Sequence, residues 1–226
     1  MTVPLPPIPE QFSADRPRVD RIRDAALKRF AAHGTAATSL RDVADTAGVS
    51  IGLVQHHFGT KGRLIDAVDK HVAAILGANL AGASSTPTTD PVGDFGHRVV
   101  TLIAEHTDVV DYIVRALLEE TPTGALIFDA LVAMGADRWQ QHHAAELTAP
   151  GLDLTWAALN PLLLVLGAMT LRSHLDRHLP ESFTTTPQLT RWEASVNALI
   201  RRGQLRAPPP PANGPEPCTG VSDDVP

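Results

Sequence analysis

Cysteine is nearly absent: the 226 residues hold one, Cys218, within a proline-rich stretch near the C-terminus. A single thiol cannot build an intrachain disulfide framework, which suits a reducing compartment. Aromatic residues are scarce, at 4%. With Ala and Leu frequent, the balance favours helices over sheets. No apolar run reaches membrane length. The most apolar one, Trp156 to Leu171, has 16 residues and contains Asn160 and Pro161. That falls short of the roughly 20 that a spanning helix needs, so we read it as a buried helix and expect no membrane partner. The opening Met1-Thr2-Val3-Pro4 has neither the basic nor the apolar region of a secretory signal, and a cytoplasmic location is expected. A Gly-rich phosphate loop, a nucleophile elbow and a cysteine placed for catalysis are all missing. We therefore expect neither an enzyme nor a bound cofactor.

What is present is unevenly distributed. The net charge is −6, yet Arg16 to Arg63 holds nine Lys/Arg against four Asp/Glu. A basic N-terminal unit on an acidic remainder suggests a head that meets a polyanion. The chain is long enough to bury a core without staples. Residues 1–15 contain four prolines and no period, and read as a disordered arm. Residues 207–226, APPPPANGPEPCTGVSDDVP, read as a solvated, disordered Pro-rich tail.

Nearly everything between has helical period. Val19, Ile22, Ala26 and Phe30 form a stripe that Gly34 should stop with a left-handed residue. Ser39-Leu40-Arg41-Asp42 is a capping-box start. Leu40, Val43, Ala44 and Ala47 form an inner face, Gly48-Val49 a tight turn, and Ser50 caps a second short helix ending near Phe58. Thr60 can cap a third. A linker, SSTPTTDP, follows residue 84. Further helices are expected at about 91–105, 108–120, 124–147, 154–179 and 187–202.

The stretch SLRDVADTAGVSIGLVQHHFGTK, Ser39 to Lys61, has the spacing of a helix-turn-helix. Small Ala44 and Ala47 permit close approach, and Val49 and Val54 plug the gap between the helices. The second helix then offers its N-terminal end to a groove.

On these residues, together with Gly52, His57-Phe58 and Lys61…Leu64, the segment 18–64 resembles the DNA-binding domain of the TetR family of bacterial transcription regulators. Leu53 and Gln55 depart from the family pattern, and Gly52 to Phe58 resembles an actinobacterial-type variant. The resemblance implies an all-α fold: an N-terminal three-helix DNA-binding domain (16–63) and a larger helical effector-binding and dimerisation domain (64–206). It implies a homodimer on a palindromic operator in double-stranded DNA, most simply a repressor released by a small lipophilic effector. An activator of the same family, or a helical metal-binding enzyme, are the alternatives.

Candidate DNA-binding residues are Ser39, Arg41, Ser50, Ile51, Gly52, Leu53, Gln55, His56, His57 and Lys61. Gln55 can pair with adenine and Leu53 can touch a thymine methyl. Lys61, beside free amides, suits a phosphate. His174 and His178, and His142, His143 and Glu146, have spacings that can hold zinc; no metal is assigned to them. The candidate effector pocket is Phe95, Ile103, Tyr112, Ile113, Leu117, Phe128, Leu131, Met134, Trp139 and His143. The candidate dimer interface is Leu162, Leu166, Met169, Leu189, Trp192, Val196 and Leu199, since a helix apolar all round must be covered on both sides.

Overall fold

The computed structural model describes residues 11–80 and 90–206. The Ser/Thr/Pro linker, the tail with Cys218 and most of the N-terminal arm lie outside the described residues. Ten α-helices run in order: α1 Gln11–Ala37, α2 Leu40–Ala47, α3 Ile51–Phe58, α4 Lys61–Leu80, α5 Pro91–Glu105, α6 Thr107–Leu118, α7 Pro122–Ala144, α8 Leu154–Thr170, α9 Arg172–Leu175 and α10 Thr186–Gln204. An antiparallel bridge pairs Thr148 with Leu205, tying the end of the described chain to the α7–α8 loop.

The first helix begins at Gln11, inside the segment read as a disordered arm. That reading placed the start beside Pro17, a natural first-turn residue. The residues before it contain no Gly and no β-branched side chain, and the helix continues through them. At the other end Gly34 breaks α1 with φ 81°, ψ 160°. The sign of φ matches the expected stop, but ψ is extended rather than left-handed helical. Only glycine occupies this region at low cost, and a Cβ here would run into the Glu119 carboxylate.

Capping explains α2 and α3. Ser39 Oγ accepts from Asp42 N at 3.2 Å, and Asp42 Oδ2 accepts from Ser39 N at 2.7 Å. The two bonds satisfy two orphan donors reciprocally. The Asp42 carboxylate also accepts from the Ser39 hydroxyl at 2.7 Å, and this bond first, then that from the Ser39 amide, holds its pKa below the usual value. Gly48 ends α2 in the left-handed region, φ 65°, ψ 41°. Its absent Cβ would meet nothing within 4 Å, so the turn requires glycine for its dihedral and not for space.

One apolar cluster joins Ile22, Phe30, Val43, Val54, Phe58, Leu64 and Val68 of the first four helices to Val109, Ile113 and Ile127 of α6 and α7. The expected boundary at residue 63/64 is therefore no break in packing; α4 belongs to both sides. A second cluster, including Leu80, Ile103, Val110, Met169, Phe183 and Leu189, fills the body.

The apolar run expected as one buried helix over 154–179 departs from that expectation twice. It bends by 67° after Thr170. Leu171 leaves helical geometry there (φ −98°, ψ 8°), and Arg172 turns to grip Asp111 of α6 through both carboxylate oxygens, Nη2–Oδ2 2.8 Å. It is also only half covered: Trp156, Leu163, Leu164 and Leu171 are exposed. No single helix among the described residues is long and apolar enough to cross a membrane.

Candidate DNA-binding face and effector cavity

The short helix α3 sits with Val54 and Phe58 inward, which leaves Ile51, Gly52, Gln55 and His56 exposed. Ser50 caps it, accepting from Leu53 N at 3.2 Å. Ser39 and Arg41 are exposed at the start of α2. Seven of the ten candidates are thus exposed on or beside the two motif helices.

The other three are placed differently. Leu53 is partly buried and packs on the head's core, so the thymine-methyl contact gives way to packing. Once α2 and α3 close together, the space beside Val54 still needs filling. His57 turns inward: its Nε2 is buried and unpartnered, and its ring stands edge-on to His56 at 5.2 Å. Lys61 Nζ donates to Ala36 O at 3.1 Å, on the carbonyl end of α1. The carbonyls freed by the Gly34 break attract a cation, a partner that the local sequence around Lys61 does not show.

The same helix end is held from the body. Arg115 of α6 donates from Nε to Ala31 O at 2.7 Å and from Nη2 to Ala32 O at 2.9 Å, while its Nη1 faces Glu119 Oε1 at 3.3 Å. Nearby, Asp69 of α4 accepts from Tyr112 Oη at 2.6 Å and from Thr123 Oγ1 at 2.8 Å. Burial, and then this bond to a carboxylate, push the Tyr112 hydroxyl pKa well above the ordinary phenol value.

An apolar cavity of about 150 Å³ lies in the body between α4, α5, α6, α7, α8 and α10. Of the ten expected pocket residues, Phe95, Ile103, Ile113, Leu131, Met134 and Trp139 line it. Tyr112 instead serves the Asp69 joint. Leu117 packs against the head's core. Phe128 stands away from the cavity, and His143 is exposed with its Nδ1 at 3.0 Å from Thr148 Oγ1. A second cavity, about 220 Å³, lies at the joint among Phe30, Ile65, Tyr112, Arg115 and Glu119. Its walls are more polar, and it lacks the enclosing apolar helices of the first.

The residues expected at a dimer interface are mostly spent within the chain. Met169 and Leu189 are buried in the body's core. Leu162, Leu166, Trp192 and Val196 line the cavity. Leu199 is 62% exposed. The body must cover its own cavity, and α8 and α10 supply part of that cover. Among the described residues no three His, Cys, Asp or Glu groups are gathered as metal ligands. His142 Nδ1 donates to Arg138 O at 2.8 Å, and His174 Nδ1 accepts from Arg177 at 2.8 Å.

Comparison with known proteins places this geometry. Residues 22–68 match the family model of bacterial regulatory proteins, tetR family. The HTH-type transcriptional regulatory protein RaaS of Mycobacterium tuberculosis is 46% identical over 79 residues, covering 34% of this chain and 37% of that protein. The HTH-type transcriptional repressor Rv3405c, also of Mycobacterium tuberculosis, is 36% identical over 105 residues, covering 46% and 49%. The matched region thus spans less than half the length of either relative. The ketosteroid transcriptional regulator KstR2 of Mycobacterium tuberculosis superposes with a TM-score of 0.66 at 18% identity, over 84% of this chain and 96% of that one. That agreement extends the likeness in fold to the helical body. Through residues 22–68 the chain is thus similar to the tetR family of bacterial regulatory proteins, and the rest of it shares a fold with such a regulator.

Proposed function

We propose that the protein is a transcription repressor that binds a palindromic operator as a homodimer and is released from it by a small lipophilic effector. One observation carries the reading. The single helix α4 starts at the helix-turn-helix, where Leu64 and Val68 are buried in the head, and ends in the cavity wall at Leu76 and Leu80. A ligand that displaces the cavity end of α4 must move the head end as well. Two heads read a palindrome only at a fixed spacing of about one DNA turn. A small rotation of each therefore costs contacts on both half-sites.

The arrangement supports these roles. The basic segment supplies phosphate contacts, and the exposed Gln55 on α3 is long enough to read a base edge. Leu163, Leu164 and Leu171 on or after α8, with Leu199 on α10, leave an apolar surface on one chain. We assign its cover to a second copy, since a twofold operator asks for a twofold protein. The test is a footprint of the purified protein on the DNA flanking its own gene, repeated with lipophilic compounds that raise its melting temperature. A protected palindrome lost on adding such compounds supports the proposal. Protection indifferent to every stabilising compound removes the effector.

A further inference from the structure

The cavity wall is apolar except where Arg138, His142, Glu193 and Asn197 line it. Asn197 of α10 is only 5% exposed, so its amide faces the cavity rather than bulk solvent. Space is made for it: a Cβ on Gly96 of α5 would meet Asn197 Oδ1 at 2.6 Å and Nδ2 at 2.8 Å. One residue earlier on α5, the ring of Phe95 carries the Arg138 guanidinium, with Cζ 4.3 Å from the centroid. The guanidinium is part-buried, and Asp94 is the carboxylate whose charge reaches it. Next to it on α7, Trp139 is buried and also lines the cavity.

We infer that the effector is a lipophilic carboxylate, its acid group held by Arg138 with Asn197 and its hydrocarbon body in the apolar part of the cavity. This rests on the reading of that cavity as the effector site. Arg138 and Asn197 meet on the single turn of α5 that carries Phe95 and Gly96. The guanidinium only donates, and the amide can donate; the pair therefore calls for an acceptor. A carboxylate matches a guanidinium through two parallel hydrogen bonds. Glu193 also lines the cavity, and it alone would favour a cation. His97 already faces Glu193, Nδ1–Oε2 4.0 Å, whereas Arg138 has no carboxylate so close. Burial, and then the charge of Arg98, lower the Arg138 pKa while Asp94 opposes them; an arriving anion would act in the same direction as Asp94. The volume, about 150 Å³, is comparable to cavities that accept a benzene ring, which limits the ligand to a short chain or a single ring.

The experiment holds the tail constant and changes the head. Octanoate, 1-octanol and octylamine are titrated into the full-length protein by calorimetry, with unliganded melting temperature as the folding control. Octanoate is expected to bind roughly tenfold or more tightly than octanol, as a charge-assisted pair provides. Arg138→Gln should remove most of that preference while leaving octanol binding unchanged, and Arg138→Lys should keep part of it. Octanol binding as well as octanoate, octylamine binding best, or an unchanged preference in Arg138→Gln would each overturn the carboxylate while leaving the cavity as a binding site. If none of the three binds, the cavity reading falls as well.

Discussion

Tyr112 on α6 donates its hydroxyl to Asp69 on α4 at 2.6 Å, and the other oxygen of that carboxylate is held by Thr123 at the start of α7. The bond joins a cavity-side helix to the helix that carries the head. Tyr112→Phe removes the donor and preserves the ring. We expect it to cost about 1.5–3 kcal/mol in chemical denaturation, the range for a hydrogen bond to a charged group. We also expect it to reduce the effect of any stabilising ligand on operator binding more than it reduces ligand affinity. Equal losses in both would mean that the bond only stabilises the fold.

Gln55 and Lys61 should separate on DNA. Gln55 is exposed and its side chain is uncommitted, so Gln55→Ala is expected to relax preference at one base position at a cost of about 1–3 kcal/mol against the best site. Lys61 donates one of its three ammonium protons to Ala36 O at the end of α1, which leaves two for a phosphate. Lys61→Ala should weaken all sequences alike and reduce the salt dependence by about one phosphate contact. Selection of binding sites from random DNA, with titrations at several salt concentrations, distinguishes the two.

Leu199 is exposed on the single chain and has no part in its core. Leu199→Glu should therefore leave the helical content intact and shift sedimentation toward the monomer. Operator affinity should fall with it, because one head holds only half a site. A stable dimer in the variant would place the interface elsewhere.

Stability should depend on His71. Burial holds its pKa below the ordinary value of 6.5, with Arg23 and His106 acting in the same direction and Asp24, 3.9 Å from Nε2, and Asp20 opposing. The folded state favours the neutral ring. The contribution is thus complete above the unfolded value and is lost as pH falls through 6.5 toward the lower folded value. The denaturation midpoint of the native protein should drop more between about pH 7.5 and about pH 5.5 than that of His71→Gln. Parallel pH profiles would show that His71 is not the group responsible.

The head was legible because its signals are local. Ser39 and Asp42 three apart, Gly48 and Ser50 are cap and turn chemistry, and each appears where its spacing placed it. Lys61 and Leu53 were harder because their partners, the Ala36 carbonyl and the head's core, lie elsewhere in the chain. The body was legible as helices but not as faces. A helix such as α8, apolar nearly all round, has no period to say which side turns inward. Leu162 and Leu166 proved to line a cavity, while Leu163 and Leu164 turned outward. Arg138 and Asn197 carry no motif at all. Their interest comes only from the apolar cavity they line.

The grip of Arg115 on the carbonyls of Ala31 and Ala32 bears on how such a head can be exchanged. Gly34 opens the end of α1, and a side chain from α6, more than eighty residues along the chain, closes it. A chimera that grafted residues 11–80 onto a foreign body would carry every base-reading group and still lack the lid on its first helix. Portability of the head therefore depends on an arginine outside it. The region that passes as a self-sufficient module in sequence is, in its hydrogen bonding, an incomplete one.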